Sequence, residues 1–122
     1  MTAREYLNQT FILNRTIDAK KEILKTLNDN ISLTCDALLL KSMKAEKEKI
    51  ELELNKELQT KMKVFAIIDK VEDATLRTLL QYKYICGMSA EEIAEKLNYS
   101  PRHVIRMHTK AVDVIEKFYK IA

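Results

Sequence analysis

One glycine and one proline in 122 residues exclude most architectures. A sheet needs a tight turn at the end of almost every strand, and such turns draw on residues that accept positive φ or a preset φ. Gly87 and Pro101 cannot supply that many turns, whereas the abundant Leu, Lys, Glu, Ile and Ala all favour helices. The chain is therefore expected to be all-α. At 47% hydrophobic and 32% charged residues it can bury one core, or one small domain with an extended helical arm, but not two large domains.

Several function classes lose support on composition and spacing. No stretch approaches the roughly 18 uninterrupted apolar residues of a membrane span, and Met1 to Tyr6 lacks the charged-then-apolar layout of a signal peptide, so a cytoplasmic protein with no membrane partner is expected. Cys35 and Cys86 each stand far from any second Cys or His at metal-ligand spacing and read as two reduced thiols in helices. His103 and His108, if helical, point about 140° apart and cannot share a metal. There is no glycine-rich phosphate loop and no pairing of nucleophile with base, and Glu91, Glu92 and Glu95 read as solvated helix positions. Neither catalysis nor a cofactor is expected.

Residues 1–73 read as long helices. Thr2 and Glu5 have the spacing of a capping box, so a helix should start there. Leu13, Ile17, Leu24, Leu27, Ile31 and Leu38 follow on a heptad-like stripe, with Lys20 and Thr34 interrupting the seam. Asn28 to Thr34 weakens helical preference and Lys41-Ser42 offers another break, after which a second helix carries Ile50, Leu54, Leu58, Met62, Phe65 and Ile68 at steps of three or four. The two stripes suit a hairpin or a coiled-coil-like pairing across a homodimer or higher homo-oligomer, and 1–73 is read as an oligomerisation or spacer region.

Charge separates this region from the rest. Residues 1–73 hold thirteen Lys/Arg against thirteen Asp/Glu, so the whole net charge of +3 comes from residues 74–122. Lys96, Arg102, Arg106 and Lys110 lie within fifteen residues that contain no carboxylate, a local basic patch of the kind that phosphates attract.

That patch coincides with a dense run of helix punctuation. Leu76, Leu79, Leu80, Tyr84 and Ile85 make a short apolar face, and Gly87 sits where a helix ends in the left-handed conformation. Ser89 and Glu92 form a second capping box for a brief helix with Ile93, Ala94 and Leu97 on its apolar side, which Asn98-Tyr99 breaks. Ser100-Pro101 then provides an N-cap and a proline at the first helical position. Two helices so closely joined must cross steeply, as in a helix-turn-helix, with Ile93, Leu97, Tyr99, Val104 and Met107 expected to be buried and the small Ala94 permitting close approach. Residues 74–122 are read as a three-helix unit of this kind.

On the third helix, about 101–119, Val104, Met107, His108, Ala111, Val112, Ile115, Phe118 and Tyr119 share one side and should pack. Arg102, Arg106, Thr109, Lys110, Asp113 and Lys117 share the other, with His103 at its margin. The expected DNA-contacting set is Lys96, Ser100, Arg102, His103, Arg106, Thr109 and Lys110. Arg106 is placed for a bidentate contact to guanine, while Arg102, Lys110, Lys96 and the Ser100 hydroxyl suit phosphates. His108, on the apolar side, reads as a packed residue.

Leu79 to Ala111, with its G-M-S-A-E-E-I-A-E-K-L core, resembles region 4 of bacterial sigma factors, which reads a promoter element. It departs from that pattern at Tyr82, Asn98 and Lys110, where leucine, glycine and arginine are usual. MTAREYLNQ, RTLLQYKY and YSPRHVIRMHTKA also resemble a family of small phage and prophage proteins that join a helical N-terminal region to this motif. The resemblance implies a DNA-binding transcription regulator on a bacterial mobile element. Two alternatives follow from the same likeness: a module that docks on RNA polymerase or a sigma factor, and a DNA-recognition protein for phage packaging.

Overall fold

The computed structural model describes residues 2–119, with Phe118 described by its backbone alone. The expectation that the Phe118 side chain packs inward thus lies outside the described residues. The fold is all-helical: α1 spans Ala3–Leu33, α2 Ala37–Ile68, α3 Ala74–Leu80, α4 Ala90–Leu97 and α5 Pro101–Tyr119. Gln81–Ile85 continues α3 as a π-helical turn. Among the described residues no strand occurs, and no helix is long and apolar enough to cross a membrane.

The starts of α1, α2 and α3 and the end at Gly87 have local causes. Thr2 Oγ1 accepts from the Glu5 amide at 3.1 Å, which starts α1 where the capping spacing predicts. The break between α1 and α2 falls at Thr34 to Asp36, and the Asp36 carboxylate accepts from the Leu39 amide at 3.0 Å to start α2. Lys41-Ser42, weighed as a second break, lies inside α2. Asp73 caps α3 through the amides of Thr75 and Leu76 at 2.9 and 3.0 Å. Gly87 has φ +71°, and beside it the Met88 amide reaches back to the Tyr82 carbonyl at 3.0 Å, closing the π turn as a left-handed C-terminus does. Cys35 and Cys86 are free and exposed, and both lie just outside helices rather than within them.

The chain divides into two compact units: one takes the chain up to Asn14 and again from Lys61 onward, and the other is Arg15–Thr60. The first is built on a core of Leu7 from α1, Val64 and Ile68 from α2, Leu80 and Tyr84, and Ala111, Val112 and Ile115 from α5. A second cluster, Leu79, Ile93, Ala94 and Val104, joins α3 to α4 and α5. The unit extends beyond the stretch 74–122, since Ala3, Leu7, Val64, Ile68 and Val71 are all buried in the same core.

In the second unit α1 and α2 form a hairpin. Lys20, which interrupts the apolar seam, is no defect there: its ammonium donates to Glu57 Oε1 and lies 3.6 Å from Glu53 Oε2. The Glu57 hydrogen bond, with help from both carboxylates, raises the Lys20 pKa. Leu13, Ile17, Leu24, Leu27 and Ile31 lie along the covered face of α1, but Leu38 is 80% exposed because it belongs to α2. Met62, expected on the apolar side of α2, is likewise exposed, while Val64 is buried.

Candidate nucleic-acid interface

The segment from Ser89 to Lys110 is fixed by three caps in succession. Ser89 Oγ accepts from the Glu92 amide and the Glu92 carboxylate accepts from the Ser89 amide, both at 3.2 Å, so α4 opens on a complete capping box. Asn98 ends it in the left-handed conformation at φ 60°, ψ 41°. Asparagine tolerates that region better than most side chains, which explains how it stands in a place where glycine is usual. The Tyr99 amide donates to the Ala94 carbonyl at 3.0 Å, and α5 starts two residues later with Ser100 Oγ accepting from the His103 amide at 3.2 Å. Ala94 and Ile93 are buried with Val104, so α4 packs closely on the start of α5.

This packing orients α5. Val104, Ala111, Val112 and Ile115 are buried, Met107 and His108 are half-buried, and Arg102, Arg106, Thr109, Lys110, Asp113 and Lys117 are exposed on the other side. Lys96 is exposed in the last turn of α4. Among the described residues no carboxylate comes within ion-pair distance of Lys96, Arg102, Arg106 or Lys110. Four cations therefore face solvent without a counter-charge among the described residues. Two of the expected contacts have part of their hydrogen-bonding capacity engaged. Ser100 Oγ is occupied as a cap acceptor but keeps its proton to donate, and Thr109 Oγ1 donates to the Ile105 carbonyl at 3.2 Å but can still accept.

Tyr99 corrects the sequence reading: it is 39% exposed, not buried. Asn98 turns the chain outward there, and the Tyr99 ring meets the His103 ring edge-on at a centroid distance of 4.8 Å. His103 is thus half-covered at the margin of the basic face. Ile105, which the sequence reading assigns to neither face, is 57% exposed beside Arg106. By spacing it continues the packed side, three residues before His108 and seven before Val112, so the helical period alone gives no sign of its exposure.

His108 packs inward. Its Nε2 lies 2.6 Å from the hydroxyl of Tyr84, whose side chain is fully buried, and the two rings sit 5.7 Å apart. A phenol is the better donor, so the hydroxyl donates to Nε2 and the ring proton sits on Nδ1. Burial disfavours the charged form of each partner: the Tyr84 pKa is pushed up to about 12 and that of His108 down to about 4, the latter helped by the Lys83 and Arg4 charges. Tyr84 also ties in α1, where Phe11 stacks on its ring at 5.5 Å and Asn14 Nδ2 donates to its carbonyl at 3.1 Å.

The depressed histidine makes a pH prediction. Between the usual 6.5 and about 4 the unfolded chain binds a proton that the folded chain does not, so this contribution to stability is present above the unfolded value and is lost as pH falls toward 4. Because solvent still reaches the ring, the loss is discounted to about 1 to 2 kcal/mol. His108→Gln retains an acceptor for Tyr84 and cannot titrate. Denaturant unfolding at about pH 7 and about pH 4.5 should show the native chain losing that much more stability than the variant. Parallel losses in the two proteins would contradict the assignment.

A family model described as "Protein of unknown function (DUF1492)" matches residues 35–116, about two thirds of the 122-residue chain. The matched stretch runs from the α1–α2 connection through α2, α3 and α4 into α5, and includes every residue of the exposed basic face from Lys96 to Lys110. No curated protein and no solved structure matches the chain.

Proposed function

We propose that this chain, which belongs to the DUF1492 family, is a sequence-specific DNA-binding transcription regulator of a bacterial mobile element, acting through a helix-turn-helix formed by α4 and α5. The observation that carries the reading is the exposed side of α5, where Arg102, Arg106 and Lys110, with Lys96 of α4, stand unneutralised on a helix whose other side is locked into the core. A helix held in that way offers its N-terminal half to the major groove, and uncompensated cations on it suit phosphates and guanine edges. Arg106 is assigned to a guanine, and Arg102, Lys96, Lys110 and Ser100 to phosphates, with His103 and Thr109 at the edges of the contact. The likeness of Leu79 to Ala111 to sigma factor region 4 supports the same reading.

The unit Arg15–Thr60 carries nine basic and nine acidic residues, so it adds no net attraction for DNA. It does expose Leu33, Leu38, Leu39 and Leu52, and it is assigned to homodimer formation. A dimer would read two half-sites about one helical turn apart.

A second reading has one observation in its favour. Glu92, Glu95, Met88 and Lys96 line a shallow pocket on α4, a surface fit for docking on RNA polymerase or a sigma factor. Glu92 is already engaged in the capping box, however, and the pocket leaves the cations of α5 unexplained. Selection from a random pool of duplexes with the purified full chain separates the two. Enrichment of a palindromic site is expected for a DNA-reading dimer; if no sequence is enriched while polymerase is retained at high salt, the docking reading takes its place.

A further inference from the structure

Among the large aliphatic residues described on α5, Ile105 alone stands out in solvent. Val104, Ala111, Val112 and Ile115 are buried to within a few per cent, and Met107 and Val114 are half-covered by the core, whereas Ile105 is 57% exposed. It follows Arg102 by three residues, precedes Thr109 by four and adjoins Arg106, all of them exposed. An apolar side chain thus sits among the polar groups of the N-terminal half of the helix.

Its surroundings restrict what can cover it. From Lys96 to Lys110 the sequence contains no carboxylate, and the four cations there have no ion-pair partner among the described residues. A second copy of this chain would bring the same cations face to face, so the complementary occupant is a polyanion. Double-stranded DNA is a polyanion whose major groove carries one apolar group, the C5 methyl of thymine. A β-branched side chain suits that contact, because its χ1 is already restricted and little freedom is lost on binding.

We infer that Ile105 is a specificity-determining residue that packs on the C5 methyl of a thymine beside the guanine assigned to Arg106, so that the recognition helix distinguishes thymine by an apolar contact as well as guanine by hydrogen bonds. This rests on the DNA-binding reading above. The methyl contact accounts for an exposed isoleucine in a basic face, which phosphate attraction alone leaves without a role. It also assigns a preference at a second base position, one that arginine chemistry does not supply.

The duplex enriched by the full chain provides the test. Each thymine is replaced in turn by deoxyuridine, which removes the C5 methyl and leaves the base-pairing edge unchanged. At one thymine in each half-site the native chain should lose about three- to fivefold in affinity, the value of one methyl group taken out of water. Ile105→Ala, at an exposed position where the fold is indifferent, should bind the thymine and deoxyuridine duplexes alike; far-ultraviolet circular dichroism checks that its helices are intact. Equal binding of the native chain to every substituted duplex overturns the inference, as does undiminished discrimination by Ile105→Ala, and both leave DNA binding itself standing. If no duplex is enriched, the DNA-binding reading fails and the inference with it; if the enriched duplex binds equally well after Arg102 and Arg106 are removed, DNA binding stands but the placement of α5 in the major groove fails, and the inference with it. Dissociation of a dimer of the free protein by Ile105→Ala would identify a second copy as the occupant and overturn the thymine contact.

Discussion

Arg102→Ala combined with Arg106→Ala should lower the affinity of the full chain for its selected duplex by about a hundred- to a thousandfold at moderate salt, with helicity unchanged. The two arginines contribute in different ways, and the single variants should separate them. A bidentate arginine on guanine contributes about 1 to 3 kcal/mol of discrimination, so Arg106→Ala should relax the preference at one base position in each half-site. Arg102, at the second position of α5 and assigned to a phosphate, should weaken all sequences alike, and its loss should lower the salt dependence by about one counterion per site. Both side chains are exposed and make no ion pair among the described residues, so their removal leaves no buried group unsatisfied. Fluorescence anisotropy on the labelled duplex at two salt concentrations reads affinity and slope together. Full affinity in the double variant would refute the assignment of α5 to the major groove.

The parts of the molecule that depend on neighbouring residues were legible in the sequence. Ser89, Glu92, Gly87, Ser100 and Pro101 act through hydrogen bonds and dihedral angles within a few residues of themselves, and the helix ends fall where they predict. The exposed set on α5 followed from the 3.6-residue period, because α5 is strongly two-faced and nothing covers its polar side. What escaped was set by contacts distant in sequence. Leu7 is fully buried, yet nothing local to the first turns of α1 marks it as a partner of Tyr84 and Ile115 more than seventy residues on. Nor does spacing fix the phase of a long helix: the steps of three or four that include Met62 run about one residue out of register there, where Met62 is exposed and Lys61 and Val64 lie on the covered side. Tyr99 stands where a helix-turn-helix needs a buried apolar group, but the left-handed Asn98 before it turns the chain outward.

Because the core of the motif-bearing unit includes α1, substitutions at its centre should be costly wherever they lie in the sequence. Tyr84→Ala removes the largest fully buried side chain, which stacks on Phe11 and donates to His108, and should cost about 3 to 5 kcal/mol. Leu7→Ala, some seventy residues away and outside the stretch 74–122, should cost about 2 to 5 kcal/mol in the same transition. Either loss corresponds to a fall in the unfolding midpoint of roughly 10 to 40 °C for a unit of this size. All five tyrosines lie outside Arg15–Thr60, and the chain has no tryptophan, so tyrosine fluorescence follows this unit alone even if the other unfolds separately. Tyr84→Phe provides the control, since it keeps the ring and loses only the hydroxyl, leaving His108 Nε2 without its donor at a cost of about 1 kcal/mol. If Leu7→Ala left the tyrosine transition in place while Tyr84→Ala shifted it, the first turns of α1 would not belong to the core that orients α5. The recognition helix would then be held by α3 and α4 alone, and DNA affinity in Leu7→Ala should be unchanged. With α1 in the core, Leu7→Ala instead lowers the temperature at which DNA is still bound, by the same margin as the unfolding midpoint and with no change of contacted bases.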